Sequence, residues 1–158
     1  MKKTISVILS LVAVAAIGLA QETKSHIALA PTEVKWGPAP PSLPKGGRIA
    51  VVSGDPGKAG PFVIRLKLPA GYKIAPHWHP TDEHVTVISG VMALGMGEKF
   101  DRAALKTLPA GGYGMLPAEM RHFALAKTAA TIQVHGMGPF VLNYVNPADD
   151  PSKADAKK

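Results

Sequence analysis

Three side chains of types that bind metal ions lie close together in the middle of the chain. His77 and His79 are separated by one residue, and Glu83 follows after a short segment. Because successive side chains of a β-strand alternate between its two faces, the two histidines point to the same side. The segment at 80–82 predicts a hairpin loop, which returns the chain and brings Glu83 beside the pair. Two imidazoles and one carboxylate on one face predict a transition-metal site.

A turn rich in glycine and proline precedes a further candidate ligand, His122, on a predicted strand. The two segments together resemble the paired motifs of the cupin superfamily. The first motif is matched at every position, namely Gly71, His77, His79, Glu83 and Gly90. The second is matched at Gly111, Pro117 and His122, and it departs from the pattern at Glu119, which replaces glycine, and at Ala126, which replaces asparagine. The resemblance covers residues 46 to 147.

This resemblance implies an all-β fold, a single-domain cupin jelly roll whose lumen can hold a ligand. It also implies one mononuclear metal site with His77, His79, Glu83 and His122 as ligands. Such a set leaves one or two coordination positions open, as catalytic metal sites do. Glu83 is then the candidate catalytic residue, because a carboxylate that leaves the metal can act as a general base.

The ligand set leaves the identity of the metal open. Sites rich in imidazole suit several divalent transition metals, and we expect one ion per chain, with copper or iron favoured and zinc, manganese or nickel as alternatives. The resemblance does not determine the reaction either, since one fold hosts many chemistries. We expect an oxidoreductase that activates O2 or peroxide and acts on a phenolic, a small organic acid or a glycan. The alternatives are a redox-inert isomerase or lyase and a protein that binds a metal or small ligand without turnover.

The rest of the sequence consists of short apolar or alternating runs between glycine and proline residues, without sustained helical periodicity. This pattern predicts strands at 48–52, 62–68, 73–79, 84–88, 91–96, 114–116, 121–127, 130–135 and 140–144. Residues 103–108 are expected to form a short helix or an irregular excursion.

Strand alternation also assigns the neighbours of the ligands to faces. With Glu83 inward, Val85 and Val87 point into the lumen, and His84 points outward. Trp78 and Ile88 are expected outside as well, where with His84 they would suit a contact between two copies of the chain. Two positions stay open. His135 is lumenal or a satisfied structural histidine, and Glu119 either occupies a turn or reaches the mouth of the pocket.

The first residues have the features of a secretory signal peptide. Lys2 and Lys3 precede a short apolar run that ends in small residues, which predicts a signal at 1–20 with cleavage after Ala20. We therefore expect a periplasmic or secreted protein without membrane attachment after cleavage. The chain contains no cysteine, so its stability must come from an ordinary core rather than from disulfides.

The remaining composition limits the choice of partners. The net charge of +7 is spread along the chain, and aromatic residues make up only 6%, so a nucleic-acid partner is not expected. Residues 21–45 are rich in proline and predict an arm laid over the barrel or across a partner subunit. Residues 148–158 predict a flexible tail. We expect a homodimer.

Overall fold

A computed structural model describes residues 26–154. Apart from a 3-10 turn at Pro147–Asp149 and a short helix α1, Pro151–Ala154, its regular elements are strands. The strands are β1 Gly37–Pro38, β2 Arg48–Ser53, β3 Gly60–Leu68, β4 Lys73–Trp78, β5 Glu83–Ser89, β6 Val91–Met96, β7 Lys106–Pro109, β8 Tyr113–Leu116, β9 His122–Ala126, β10 Ala130–Gly138 and β11 Asn143–Tyr144.

The strands form two antiparallel sheets with the core between them. The larger sheet has the order β1-β2-β3-β10-β5-β8, and the smaller has the order β11-β4-β9-β6-β7. Alternate residues of both sheets point inward and build one apolar cluster. Its most deeply buried side chains include Phe62, Met92, Leu116, Val87 and Val134. The predicted all-β fold is confirmed.

The two sheets each contribute ligand candidates to the space between them. Within the smaller sheet β4 pairs with β9, and in this register His77 lies directly opposite His122. Glu83 begins β5 of the larger sheet, and Val85 and Val87 follow it inward, where both are buried as alternation predicts. The fold therefore brings three candidate ligands together from three different strands, and the fourth, His79, directly follows β4.

Two glycines of the first motif occupy backbone conformations that other residues rarely adopt. Gly71, just before β4, has φ of 79°, and Gly90, between β5 and β6, has φ of 76°. A Cβ atom on Gly90 would also lie 2.1 Å from the Ala129 carbonyl oxygen. These turns start the strand that carries the histidines and end the strand that carries the glutamate.

Part of the proline-rich arm lies on the chain's own barrel. β1 pairs with β2 at the edge of the larger sheet, a pairing that the sequence did not predict. Leu43 is 8% exposed and packs in the core cluster. The described part of the arm thus covers this subunit's barrel.

Two strand predictions need correction. Residues 103–108 were expected to form a helix or an excursion, but β7 starts at Lys106 and pairs with β6. The strand expected at 140–144 is limited to Asn143–Tyr144. Phe140 and Leu142, which precede it, line a cavity in the interior instead of belonging to a strand. The strand predicted at 130–135 is longer than expected, since β10 extends to Gly138.

The structure separates the three residues that were expected to form a contact face between two copies of the chain. Trp78 belongs to β4 of the smaller sheet, where the Arg121 guanidinium lies 5.4 Å from its ring centroid. His84 and Ile88 belong to β5 of the larger sheet. Since the outer surfaces of the two sheets face away from each other, these three side chains cannot form a single contact face.

The predicted signal peptide and its cleavage site lie outside the described residues, so both stay predictions. Within 26–154, no helix has the length and apolar character to cross a membrane. The expected C-terminal tail contains the 3-10 turn and α1 as far as Ala154, and its last residues are outside the described range.

Candidate metal centre

Four side chains converge in the lumen between the sheets. His77, His79, Glu83 and His122 each offer one ligand atom, and these atoms all lie within 4.8 Å of one another. All four residues are buried. The structure thus brings together every ligand that the sequence predicted.

The histidines are oriented by the backbone. The Nδ1 atom of His77 lies 2.8 Å from the Ala75 carbonyl oxygen, and the Nδ1 atom of His122 lies 2.9 Å from that of Met120. The Nδ1 atom of His79 lies 2.8 Å from the carbonyl oxygen of Val141, on the segment before β11. Because a carbonyl oxygen only accepts, each Nδ1 must carry the proton and donate it. In the neutral ring, Nε2 then carries a free lone pair.

The environment keeps the rings of His77 and His79 neutral. Burial, together with the smaller effects of the nearby His122 and His79 imidazoles, lowers the pKa of His77 to about 3, although Glu83 acts in the opposite direction. Burial also lowers the pKa of His79, against the opposing effect of Glu83. Neutral imidazole is the form that binds metal ions.

Glu83 completes the cluster as a carboxylate. Burial raises its pKa, but a hydrogen bond from the His122 imidazole and the positive charge of the neighbouring imidazoles, both present when those rings are protonated, outweigh burial and hold the pKa below its usual value. One carboxylate oxygen, Oε2, lies 3.2 Å from His122 Nε2 and 3.6 Å from His79 Nε2. The carboxylate therefore faces the two imidazole nitrogens at close range.

The cluster fits a metal ion because the nitrogen and oxygen atoms that face one another in it receive no hydrogen bond from a donor group. The Nε2 atoms of His79 and His122 are buried and have no hydrogen-bond partner among the described residues. Both carry lone pairs in the tautomer that the backbone selects, and the oxygen they face is itself an acceptor. A cation satisfies all of these atoms at once, and the nitrogen and oxygen set suits a divalent transition metal.

Most of the chain matches a known protein family. Residues 24–141 match the ChrR cupin-like domain. The chain belongs to this cupin family. No curated protein matches the sequence.

Solved structures show the same fold at low identity. The polyketide cyclase RemF from Streptomyces resistomycificus superposes with a TM-score of 0.66 at 16% identity, covering 84% of this chain and 94% of that one. A protein from Methylibium petroleiphilum, proposed to be an acetylacetone dioxygenase, has a TM-score of 0.62 at 22% identity, with coverages of 86% and 96%. KdgF from a Halomonas species has a TM-score of 0.53 at 16% identity, with coverages of 68% and 91%. These similarities confirm the cupin fold.

A cavity of about 140 Å³ lies beside the cluster of this cupin. His77, His79 and Glu83 form its polar end, and the other wall residues are almost all apolar. The apolar part of the wall comprises Pro40, Leu43, Ile49, Pro56, Ile64, Leu66, Ile74, Val134, Phe140 and Leu142. Three of the four candidate ligands are therefore reached through an apolar chamber.

The cupin motifs do not include several residues that shape this site. Phe140 stacks on the His79 ring, and Tyr144 lies directly opposite His77 in the pairing of β11 with β4. The Val141 carbonyl oxygen accepts the hydrogen bond of His79. A short apolar run near the C-terminus was the only local signal for these residues, and it predicted a strand rather than a cavity wall.

The other candidate residues lie elsewhere. His84 and His135 are opposite each other on the outer face of the larger sheet, with parallel rings 4.7 Å apart. His84 Nδ1 also shares a hydrogen bond of 2.6 Å with the Tyr113 hydroxyl. Glu119 is exposed in the turn before β9, and its φ of 62° is the left-handed conformation for which the motif uses glycine. None of these three side chains joins the metal cluster.

Proposed function

We propose that this cupin is a metal-dependent oxidoreductase that uses O2 or peroxide to oxidise a compact phenolic substrate. One divalent transition metal, with copper or iron favoured, is held by His77, His79, Glu83 and His122. The observation that carries the proposal is the convergence of buried, unpartnered imidazole nitrogens on a carboxylate at the end of an apolar cavity. When bound, a redox-active ion would supply the electron transfer to the oxidant.

The cavity wall favours a phenolic over the other two substrate classes. No lysine or arginine is among the described residues that line it, so a carboxylate substrate has no cationic side chain to pair with. Apart from the metal ligands, Ser42 is the one residue with a polar side chain among the described residues of the wall, which is too few partners for the hydroxyls of a glycan. An aromatic ring, by contrast, matches the aliphatic and phenyl surface of the chamber.

The residues of the chain have separate tasks in this proposal. The backbone carbonyls of Ala75, Val141 and Met120 hold the three imidazoles in the tautomer that presents Nε2 to the site. Glu83 is the group that accepts the phenolic proton, since its depressed pKa keeps it ionised near neutral pH. The apolar walls exclude bulk water from the bound ring.

The test combines metal analysis with an oxygen electrode. Purified protein should contain copper or iron near one per chain, and it should consume oxygen with a reductant and a simple phenol. The Glu83→Ala variant should lose this uptake. Zinc or manganese without uptake would favour a Lewis-acid isomerase or lyase instead, and the absence of tightly held metal would favour a ligand-binding role.

The proposed homodimer would use the outer face of the larger sheet. Ile88, Tyr113, Met115 and Met137 are exposed on its strands β5, β8 and β10 around the His84–His135 pair. Exposed apolar side chains grouped in this way are typical of protein contact surfaces. Light scattering coupled to size exclusion should give twice the chain mass, and a monomer at micromolar concentration would contradict the proposal.

A further inference from the structure

A short proline-rich segment forms part of the cavity wall. We call residues 40–44 the strap. Three of its residues are prolines, which have no backbone N–H, so the strap cannot join a sheet as a regular strand. It is instead a turn, in which the Leu43 amide donates to the Pro40 carbonyl oxygen at 2.9 Å.

Two tyrosines tie the strap to the barrel. The Tyr144 hydroxyl donates a hydrogen bond of 2.8 Å to the Ser42 carbonyl oxygen. The Tyr72 hydroxyl donates to the Pro44 carbonyl oxygen. Burial raises the pKa of both tyrosines, that of Tyr72 to about 12, so both stay protonated donors over the physiological pH range. The strap is thus fastened by side-chain contacts to its carbonyl groups rather than by a strand ladder.

The inner side of the strap is part of the cavity wall. Pro40, Ser42 and Leu43 line the same chamber as His77 and Glu83. Leu43 supplies the strap's buried apolar side chain. A second hollow of about 280 Å³ lies between residues 38–47 and Pro151, and Pro40 and Leu43 line it as well as the chamber. The strap therefore separates the metal chamber from a second open space and is loosely packed on that side.

The size of the chamber indicates what fits behind the strap. An apolar cavity of about 150 Å³ engineered into another protein holds one benzene ring. The chamber here measures about 140 Å³. One aromatic ring fills a space of this size, and two fused rings exceed it.

We propose that the strap is the specificity-determining wall of the site and that Leu43 restricts its ligands to a single aromatic ring. In calling this ligand a substrate, the inference rests on the proposed function. Removing the Leu43 side chain would join its volume to the chamber that His77 and His79 also line, without altering any metal ligand. Release of the two tyrosine contacts would let the strap move outward over the hollow behind it.

The experiment measures binding rather than turnover. Metal-loaded wild-type and Leu43→Ala proteins are titrated with phenol and with 2-naphthol by calorimetry under anaerobic conditions. We expect the Kd for 2-naphthol to fall by about tenfold or more in Leu43→Ala, while that for phenol rises or stays constant. Leu29→Ala is the matched control, since Leu29 is exposed and absent from the chamber wall. Its ratio of naphthol to phenol affinity should equal that of wild type.

Two further measurements keep the test decisive. If Leu43→Ala does not fold, Leu43→Val provides a smaller enlargement and should shift the same ratio in the same direction. The double variant Tyr72→Phe, Tyr144→Phe should bind 2-naphthol with a faster association rate in stopped-flow mixing. An unchanged ratio in the Leu43 variants would overturn the inference. Because the readout is equilibrium binding, a selectivity shift without oxygen uptake would refute only the oxidoreductase, and uptake without the shift would refute only the role of the strap.

Discussion

The rings of His79 and Phe140 stack with centroids 4.0 Å apart and planes inclined by 16°. His79 is therefore held on two sides by one segment, through its ring face by Phe140 and through Nδ1 by the Val141 carbonyl oxygen. Phe140 in turn packs against Phe62 of β3, with ring centroids 5.0 Å apart. The orientation of a predicted metal ligand thus depends on a segment that lies far away in the sequence.

Phe140→Ala should weaken metal binding although it removes no ligand. Without the ring, His79 gains rotational freedom and its Nε2 is no longer fixed toward Glu83, so the metal affinity should fall by about tenfold or more. Chelator competition measures this change. Phe100→Ala is the control, because the Phe100 ring packs on Phe123 rather than on the ring of a ligand histidine. Equal affinities of the two variants would contradict the positioning role of Phe140.

Removal of a predicted ligand should abolish stoichiometric binding. His77→Ala should purify with well below one metal ion per chain, because the remaining groups no longer enclose the ion. His84→Ala, on the outer face of the larger sheet, should retain the wild-type content. Mass spectrometry of the metal in both variants tests the assignment, and full occupancy in His77→Ala would refute it.

Acid should destabilise the metal-free protein. His77 has a pKa of about 3 when folded and 6.5 as the reference value for the unfolded chain, so between these pH values the unfolded state binds the extra proton. The free energy of unfolding should fall as pH decreases from 6.5 toward 3, by about 1.4 kcal/mol per pH unit for a single such histidine. The lowered pKa values of His79 and Glu83 act in the same direction.

Urea denaturation of the metal-free protein across this pH range gives the slope. The His77→Gln variant cannot take up this proton and should show a shallower dependence than wild type. The same slope in both proteins would mean that His77 does not titrate as its burial requires.

Glu119→Gly should stabilise the protein. Glu119 has φ of 62°, a left-handed conformation that costs a residue with a Cβ atom about 1 to 2 kcal/mol. Glycine removes this cost but adds entropy to the unfolded chain, so the net gain should be about 0.5 to 1 kcal/mol. The amide of residue 119, which donates to the His79 carbonyl oxygen at 2.7 Å, is retained. Thermal unfolding measures the change, and a lower Tm than wild type would contradict the expectation.

The sequence by itself determined which side chains form the metal cluster. Strand alternation placed His77 and His79 on one face, and the motif glycines marked the turns at the ends of β4 and β5. These are local properties, because the period of a strand and the conformation of a turn depend on residues close in the chain. The same reasoning correctly placed Val85 and Val87 inward and His84 outward.

The tertiary structure decided what surrounds the cluster. The pairing of β4 with β9 sets His77 opposite His122, and the segment after β10 brings Phe140 and the Val141 carbonyl oxygen against His79. The strap is held at the cavity by the hydroxyls of Tyr72 and Tyr144 and by the burial of Leu43 in the core. Such contacts join segments far apart in the chain, and they depend on the register of every strand between these segments. Local sequence periodicity does not specify that register.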